Sequence, residues 1–158
     1  MIQHIHTFTL PAAYSLLPPQ MSSPAASALL LTIGLQESRF LHRRQLGGPA
    51  RGFWQFERGG IAGVLQHHAT AAPLQDALIA LHYPDRSATT CYALVADNDT
   101  LACVFARLLL WTEPSSLPHV DEPSKAWDQY LATWRPGKPH QATWDAFYRQ
   151  AWELVASA

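Results

Sequence analysis

The chain has 158 residues and a formal net charge of −1, enough length for one sizeable hydrophobic core. Charged residues make up only 15% and apolar residues 48%, with six Trp, so the composition points to a well-filled interior or an aromatic-lined groove. The near-zero charge excludes the basic field that nucleic-acid binding needs, and no apolar run is long enough for membrane insertion.

Residues 1–20 open with Ile2-Gln3-His4-Ile5-His6-Thr7-Phe8, a weak alternation followed by prolines at Pro11 and Pro18-Pro19. They read as an N-terminal arm or a short strand. No basic region followed by an apolar run is present, so the chain reads as synthesised in the cytoplasm without a secretory leader. His4 and His6 have no third ligand nearby, and no metal is expected.

Ser22-Ser23-Pro24 supplies a hydroxyl cap and a first-turn proline, and predicts a helix over 24–41. That helix is apolar nearly all round up to Gln36, which places it in the core. Gly34 within it costs about 1 kcal/mol relative to Ala, so a neighbour is expected to pack closely there. Arg39, His42, Arg43 and Arg44 follow, where cations suit the negative helix end.

Gly47-Gly48-Pro49 breaks the chain, and Gly52-Phe53-Trp54-Gln55-Phe56-Glu57 predicts a very small sheet or hairpin near residues 50–57. Further helices are predicted over 61–68 and 72–82, separated at Pro73, and over 89–96. Another runs from caps at Asp97-Asn98-Asp99-Thr100 to Trp111, and the last two cover 124–134 and 141–156. Trp127, Tyr130 and Trp134 share one side of the 124–134 helix. Cys91 and Cys103 lack CxxC or metal spacing and read as free buried thiols. The fold class is mainly α.

Glu37 is the first candidate for chemistry. Its apolar surroundings raise the pKa of a carboxyl group, and a carboxylic acid that keeps its proton near neutral pH is the general acid that glycosidic cleavage needs. It also reads as a helix-end glutamate paired with Arg39, Arg43 or Arg44. Glu57, beside Arg58, is the candidate second carboxylate of a two-acid glycosidase or a solvated charge. Trp54, Phe53, Tyr130 and Trp134 are candidate sugar platforms, although aromatics at helical spacing also suit a core. Arg135 and Lys138 suit the carboxylates of a peptide stem or a solvated turn.

Glu37-Ser38, a glycine-rich turn, and then Gly52-Phe53-Trp54-Gln55 resemble the lysozyme-like lytic transglycosylases of bacteria and their phages. The phrase from Gly48 to Gln55 is also similar to small lysozyme-like proteins of tailed phages. The resemblance covers about residues 26–60. The chain departs from it in carrying Phe53-Trp54 where the family usually has Leu-Met, and in lacking the family's Ala-Tyr-Asn-x-Gly run.

The resemblance implies one lysozyme-like α+β domain over 1–158, with Glu37 as acid/base. Gln55 and the nearby backbone of Gly52, Phe53 and Trp54 would hold the sugar, and Ser38 would orient the site by hydrogen bonding or cap its own helix end. Tyr130 and Trp134, outside the matched residues, complete the candidate substrate-binding set. The implied reaction cleaves the bond between N-acetylmuramic acid and N-acetylglucosamine in peptidoglycan with no cofactor. Family members manage with one carboxylate, the sugar's N-acetyl group acting as nucleophile. The implied setting is the bacterial cell wall or periplasm, reached in phage lysis or from within a virion. The alternative expectation is a phage tail or head-tail connector protein that keeps the fold with weak or no catalysis and partners other virion proteins.

Overall fold

Ser23 starts the helix around which the molecule is assembled. In the computed structural model, which describes residues 1–158, its Oγ accepts from the Ala26 amide at 3.0 Å, and Pro24 sits in the first turn. Eleven of the fifteen residues of this helix, Pro24–Ser38, are buried, so it is enclosed on every side, as its all-round apolar text requires.

The helices are α1 (Ile2–His4), α2 (Leu10–Ser15), α3 (Pro24–Ser38), α4 (Arg58–Gln66), α5 (Ala71–Ala80), α6 (Ala88–Leu94), α7 (Asp99–Trp111), α8 (Pro123–Trp134) and α9 (Trp144–Ala156). α9, α7 and the N-terminal segment pack on α3, and α8 bridges α7 and α9. One cluster of 35 buried residues runs from Ile5 to Ala151, so the elements share a single core. No helix is long and apolar enough to cross a membrane.

Several boundaries differ from the sequence expectation, each for a local reason. α3 ends at Ser38 rather than residue 41, because Arg39 and Phe40 both take left-handed φ of 54°. This pair of residues swings the Phe40 ring back over Gly34, where a Cβ would lie 2.1 Å from the ring. The close neighbour expected at Gly34 is therefore Phe40, only six residues on.

The opening residues are helical, not a strand or a free arm: Ile5, Leu10 and Ala13 are in the core. A π-helical stretch, Ile5–Thr9, joins α1 to α2. It lies just ahead of Pro11, which has no N–H for the preceding turn, and the wider turn accommodates that loss. Pro73 does not separate two helices; it sits in the first turn of α5, where a missing N–H costs nothing.

The expected sheet near 50–57 is absent. Its place is taken by isolated antiparallel bridges, Arg44 with Arg51 and Arg51 with Phe56. Arg51 and Phe56 exchange both backbone hydrogen bonds at 2.8 Å, which closes a tight hairpin-like turn and goes no further. Gly52 is required there: its φ is 75°, and a Cβ would come within 2.8 Å of the Val95 carbonyl oxygen.

Candidate active site

Glu37 occupies the last turn of α3 and lines a groove of about 660 Å³, within the usual range for ligand sites. The end of α3, the 51–57 turn and the C-terminal half of α8 form its sides, with Gln55, Glu57, Tyr130 and Trp134 lining it beside Glu37. The following segment, Arg135 to His140, closes it on one side.

No cation pairs with Glu37. Arg39 lies over the Phe147 ring at 5.5 Å, Arg43 binds Asp99 at 2.8 Å, and Arg44 binds Asp97 at 3.0 Å. The two aspartates expected as helix caps serve as these ion-pair partners, while Asn98 alone caps α7, accepting from the Leu101 amide at 3.0 Å. The arginines that follow Glu37 in sequence are thus spent elsewhere.

Tyr130 is the partner instead, its Oη donating to Glu37 Oε1 at 2.6 Å. Burial raises the Glu37 pKa to about 7, against the pull of the Tyr130 hydrogen bond, and the negative charge of Glu57 adds a smaller upward push. The carbonyl end of α3 disfavours an anion at the same place. Tyr130 itself is driven upward by burial and by its acidic neighbour, so it remains a donor. Its ring is stacked on Trp144, with centroids 5.0 Å apart, and the Trp144 indole donates to the Pro123 carbonyl at 2.9 Å. The phenol is thereby fixed in orientation.

Ser38 ties the helix end to the turn. Its Oγ donates to the Phe53 carbonyl at 2.7 Å and accepts from the Phe40 amide at 3.1 Å, so it both caps the helix end and braces the motif. Gln55, with φ of 54°, lines the groove while its Nε2 donates to the Gly52 carbonyl at 2.9 Å. Glu57 is exposed at the start of α4 and faces the same groove.

Phe53 and Trp54 do not reach the groove. Trp54 is fully buried, with Nε1 donating to the Leu30 carbonyl at 2.9 Å, and the Phe40 ring meets both residues edge-on. They fix the turn to α3 from inside and offer no ring face to a sugar. Gly52 is likewise interior, a backbone requirement rather than a contact. Two of the expected platforms do line the groove: Tyr130, buried with its ring on Trp144, and Trp134, half-buried, with Nε1 donating to the Trp54 carbonyl at 2.9 Å.

Two participants lay outside the sequence reading. Gln36 Nε2 donates to the His140 carbonyl at 2.8 Å, and Thr143 Oγ1 donates to Gln36 Oε1 at 2.9 Å. This clamp fastens the Arg135–His140 wall to the residue just before the acid. The one available signal was position: Gln36 is where the apolar text of α3 first turns polar.

Comparison with protein-family models, with curated proteins and with solved structures brought no match to this chain.

Proposed function

We propose that the protein cleaves peptidoglycan glycan strands, with Glu37 as general acid and then base. The frame is a lysozyme-like one whose β part is reduced to the 51–56 turn. The observation that carries the proposal is a carboxyl group held near pKa 7, without a cation, at the side of a groove of glycan size. Glu37 is half-buried at the groove and its one side-chain partner is the neutral Tyr130 hydroxyl, so no counter-ion offsets its charge.

Tyr130 occupies Oε1, which leaves Oε2 as the oxygen to carry the proton toward the leaving glycosidic oxygen. Once deprotonated, the carboxylate is stabilised by the same phenol. It then takes a proton from the muramic 6-hydroxyl as that oxygen bonds to C1, in place of the N-acetylglucosamine oxygen that left protonated, giving a 1,6-anhydro product. Glu57 is exposed and no buried second carboxylate joins Glu37, which favours this anhydro route over a two-acid hydrolysis. Gln55 and Trp134 are the side chains placed to contact sugar. Phage lysis or carriage in a virion is the setting we propose.

One observation favours a second reading, a phage structural protein with residual or no catalysis: the motif's own aromatics, Phe53 and Trp54, lie in the core and leave the groove only the half-buried Trp134 and the edge of the buried Tyr130. The deciding experiment is turbidity clearing of purified sacculi between pH 5 and 8, with mass spectrometry of the released muropeptides. Wild type is expected to clear and to leave 1,6-anhydro ends. Glu37→Gln should lose about a thousandfold in rate with its circular dichroism unchanged. A wild type inert on sacculi across that range supports the structural reading instead.

A further inference from the structure

Arg135 and Lys138 both line the groove, and neither takes part in the two ion pairs of the molecule, Arg43–Asp99 and Arg44–Asp97. Two cations without a carboxylate partner, Arg135 with only a long Nε bond to the Ala132 carbonyl at 3.4 Å, therefore stand in one wall of a site whose acid, Glu37, keeps its proton below about pH 7. Glu57 is the remaining carboxylate there, and it leaves the wall net positive.

The segment that carries the cations is held rather than free. The Arg135 amide bonds to the Leu131 carbonyl at 3.2 Å as the end of α8, and the His140 carbonyl is gripped by Gln36. Pro136 and Pro139 restrict the chain between these anchors. Arg135 itself sits at φ 49°, ψ 54°, a left-handed position that Gly or Asn fills at lower cost. Gly137 lies only two residues on, at the exposed crest of the turn. A long cation is thus kept where backbone energy favours a small residue, beside the groove.

Resting on the glycan-cleaving function proposed above, we propose that Arg135 and Lys138 bind a carboxylate carried on a side arm of the glycan, so that the groove selects an acidic amino-sugar polymer over a neutral one. Arg presents a planar fork that matches a carboxylate, and Lys adds a mobile point charge. The carboxylate has two sources in a wall strand, the lactyl group on the sugar and the peptide stem attached to it.

Glu37→Gln protein, unable to turn over, serves for binding measurements on three ligands: stem-bearing glycan strands, strands stripped of their stems by an amidase, and neutral chitooligosaccharides of equal length. Both acidic strands, or the stem-bearing ones alone, should bind about tenfold tighter than the neutral oligomer at low salt, with the gap closing as salt rises. Tight binding of stripped strands assigns the lactyl group; its loss assigns the stem. Adding Arg135→Asn and Lys138→Gln should erase the preference. In otherwise wild-type protein the same pair should raise KM about tenfold at steady kcat. Asn tolerates the left-handed position, so the melting temperature reports that the wall is intact.

Equal binding of acidic and neutral ligands, or an unchanged preference in the double variant with normal melting, overturns the proposal. Cleavage of both ligand classes at equal KM overturns it while the glycan-cleaving function stands. Selective binding of acidic strands without any cleavage supports the wall and removes the catalytic reading. Absence of binding to all three ligands removes both.

Discussion

At its N-terminal end α3 is flanked by the enclosed guanidinium of Arg107, and at its C-terminal end by the half-buried carboxyl of Glu37. Arg107 is 2% exposed; its Nε donates to the Met21 carbonyl at 2.7 Å, and its guanidinium lies 5.4 Å from the Trp111 ring centre. Burial pulls its pKa down, yet a guanidinium keeps its proton at any working pH, so the fold must satisfy it permanently. Glu37 has a different escape. A carboxyl group can take up a proton instead of a counter-ion, and the fold leaves it with one phenol and an open groove. A buried charge that must stay charged is a packing element, whereas a buried acid that can go either way is available for transfer.

Truncating the packing element should have the largest effect on stability. Arg107→Ala removes the donor to the Met21 carbonyl, the stack on Trp111 and the side-chain volume itself, at a cost of about 3 kcal/mol in urea unfolding. The loss should be the same at pH 5 and pH 8, and the folded fraction should clear sacculi at the wild-type rate. A loss that varies with pH would mean that Arg107 is coupled to a titrating group, and the contrast between the two ends would fail.

Glu37→Gln should do the opposite, and only at higher pH. The folded-state pKa of about 7 stands above the ordinary 4.5, so the folded protein holds a proton that the unfolded chain releases in between. Below pH 4.5 both states are protonated and the carboxyl costs nothing. As pH rises from 4.5 through 7 the fold loses stability, reaching roughly 3 kcal/mol before any relief from solvent reaching the groove. The glutamine variant is spared this loss. Its melting temperature should match wild type at pH 4 and exceed it at pH 8. Equal melting temperatures at both pH values would show that the acid is not held protonated.

The sequence made the acid visible but not its setting. An apolar helix with a carboxylate one turn from its end forecasts desolvation, and Ser23, Asn98 and Gly34 announced two caps and a close approach through local chemistry alone. Arg43 and Arg44 find Asp99 and Asp97 more than fifty residues away, and Tyr130 finds Glu37 across 93. Contacts of that span leave no periodic trace, and the helical spacing of Tyr130 marks it only as core. Phe53 and Trp54 sit on a turn, where no period tells inside from outside; a fully buried Trp whose indole is satisfied by a helix carbonyl reads in text like an exposed platform.

Tyr130→Phe tests the phenol's grip on the acid more gently. The hydrogen bond favours the ionised carboxylate, so its removal should raise the Glu37 pKa further. The high-pH limb of the cleavage profile, where the general acid is lost, should move up by about one pH unit. The maximal rate should fall as well, since the base formed after the first step loses its stabilising donor. A limb that moves down, or stays in place, would assign it to a group other than Glu37.

Glu57→Gln is the smallest and the most discriminating change. As a neighbouring charge, Glu57 pushes the Glu37 pKa upward, and its exposure lets solvent and salt screen that push. Neutralising it should shift the high-pH limb down by roughly 0.3 unit, with the maximal rate preserved. Raising the ionic strength of the wild type should move its limb in the same direction, and should do nothing further in the variant. Were Glu57 instead the second carboxylate of a hydrolase, its loss would remove about two orders of magnitude in rate, and the products would carry reducing ends rather than anhydro ones. The two outcomes differ in size, in salt dependence and in product, so this one substitution separates a charge that tunes the acid from a carboxylate that shares its work.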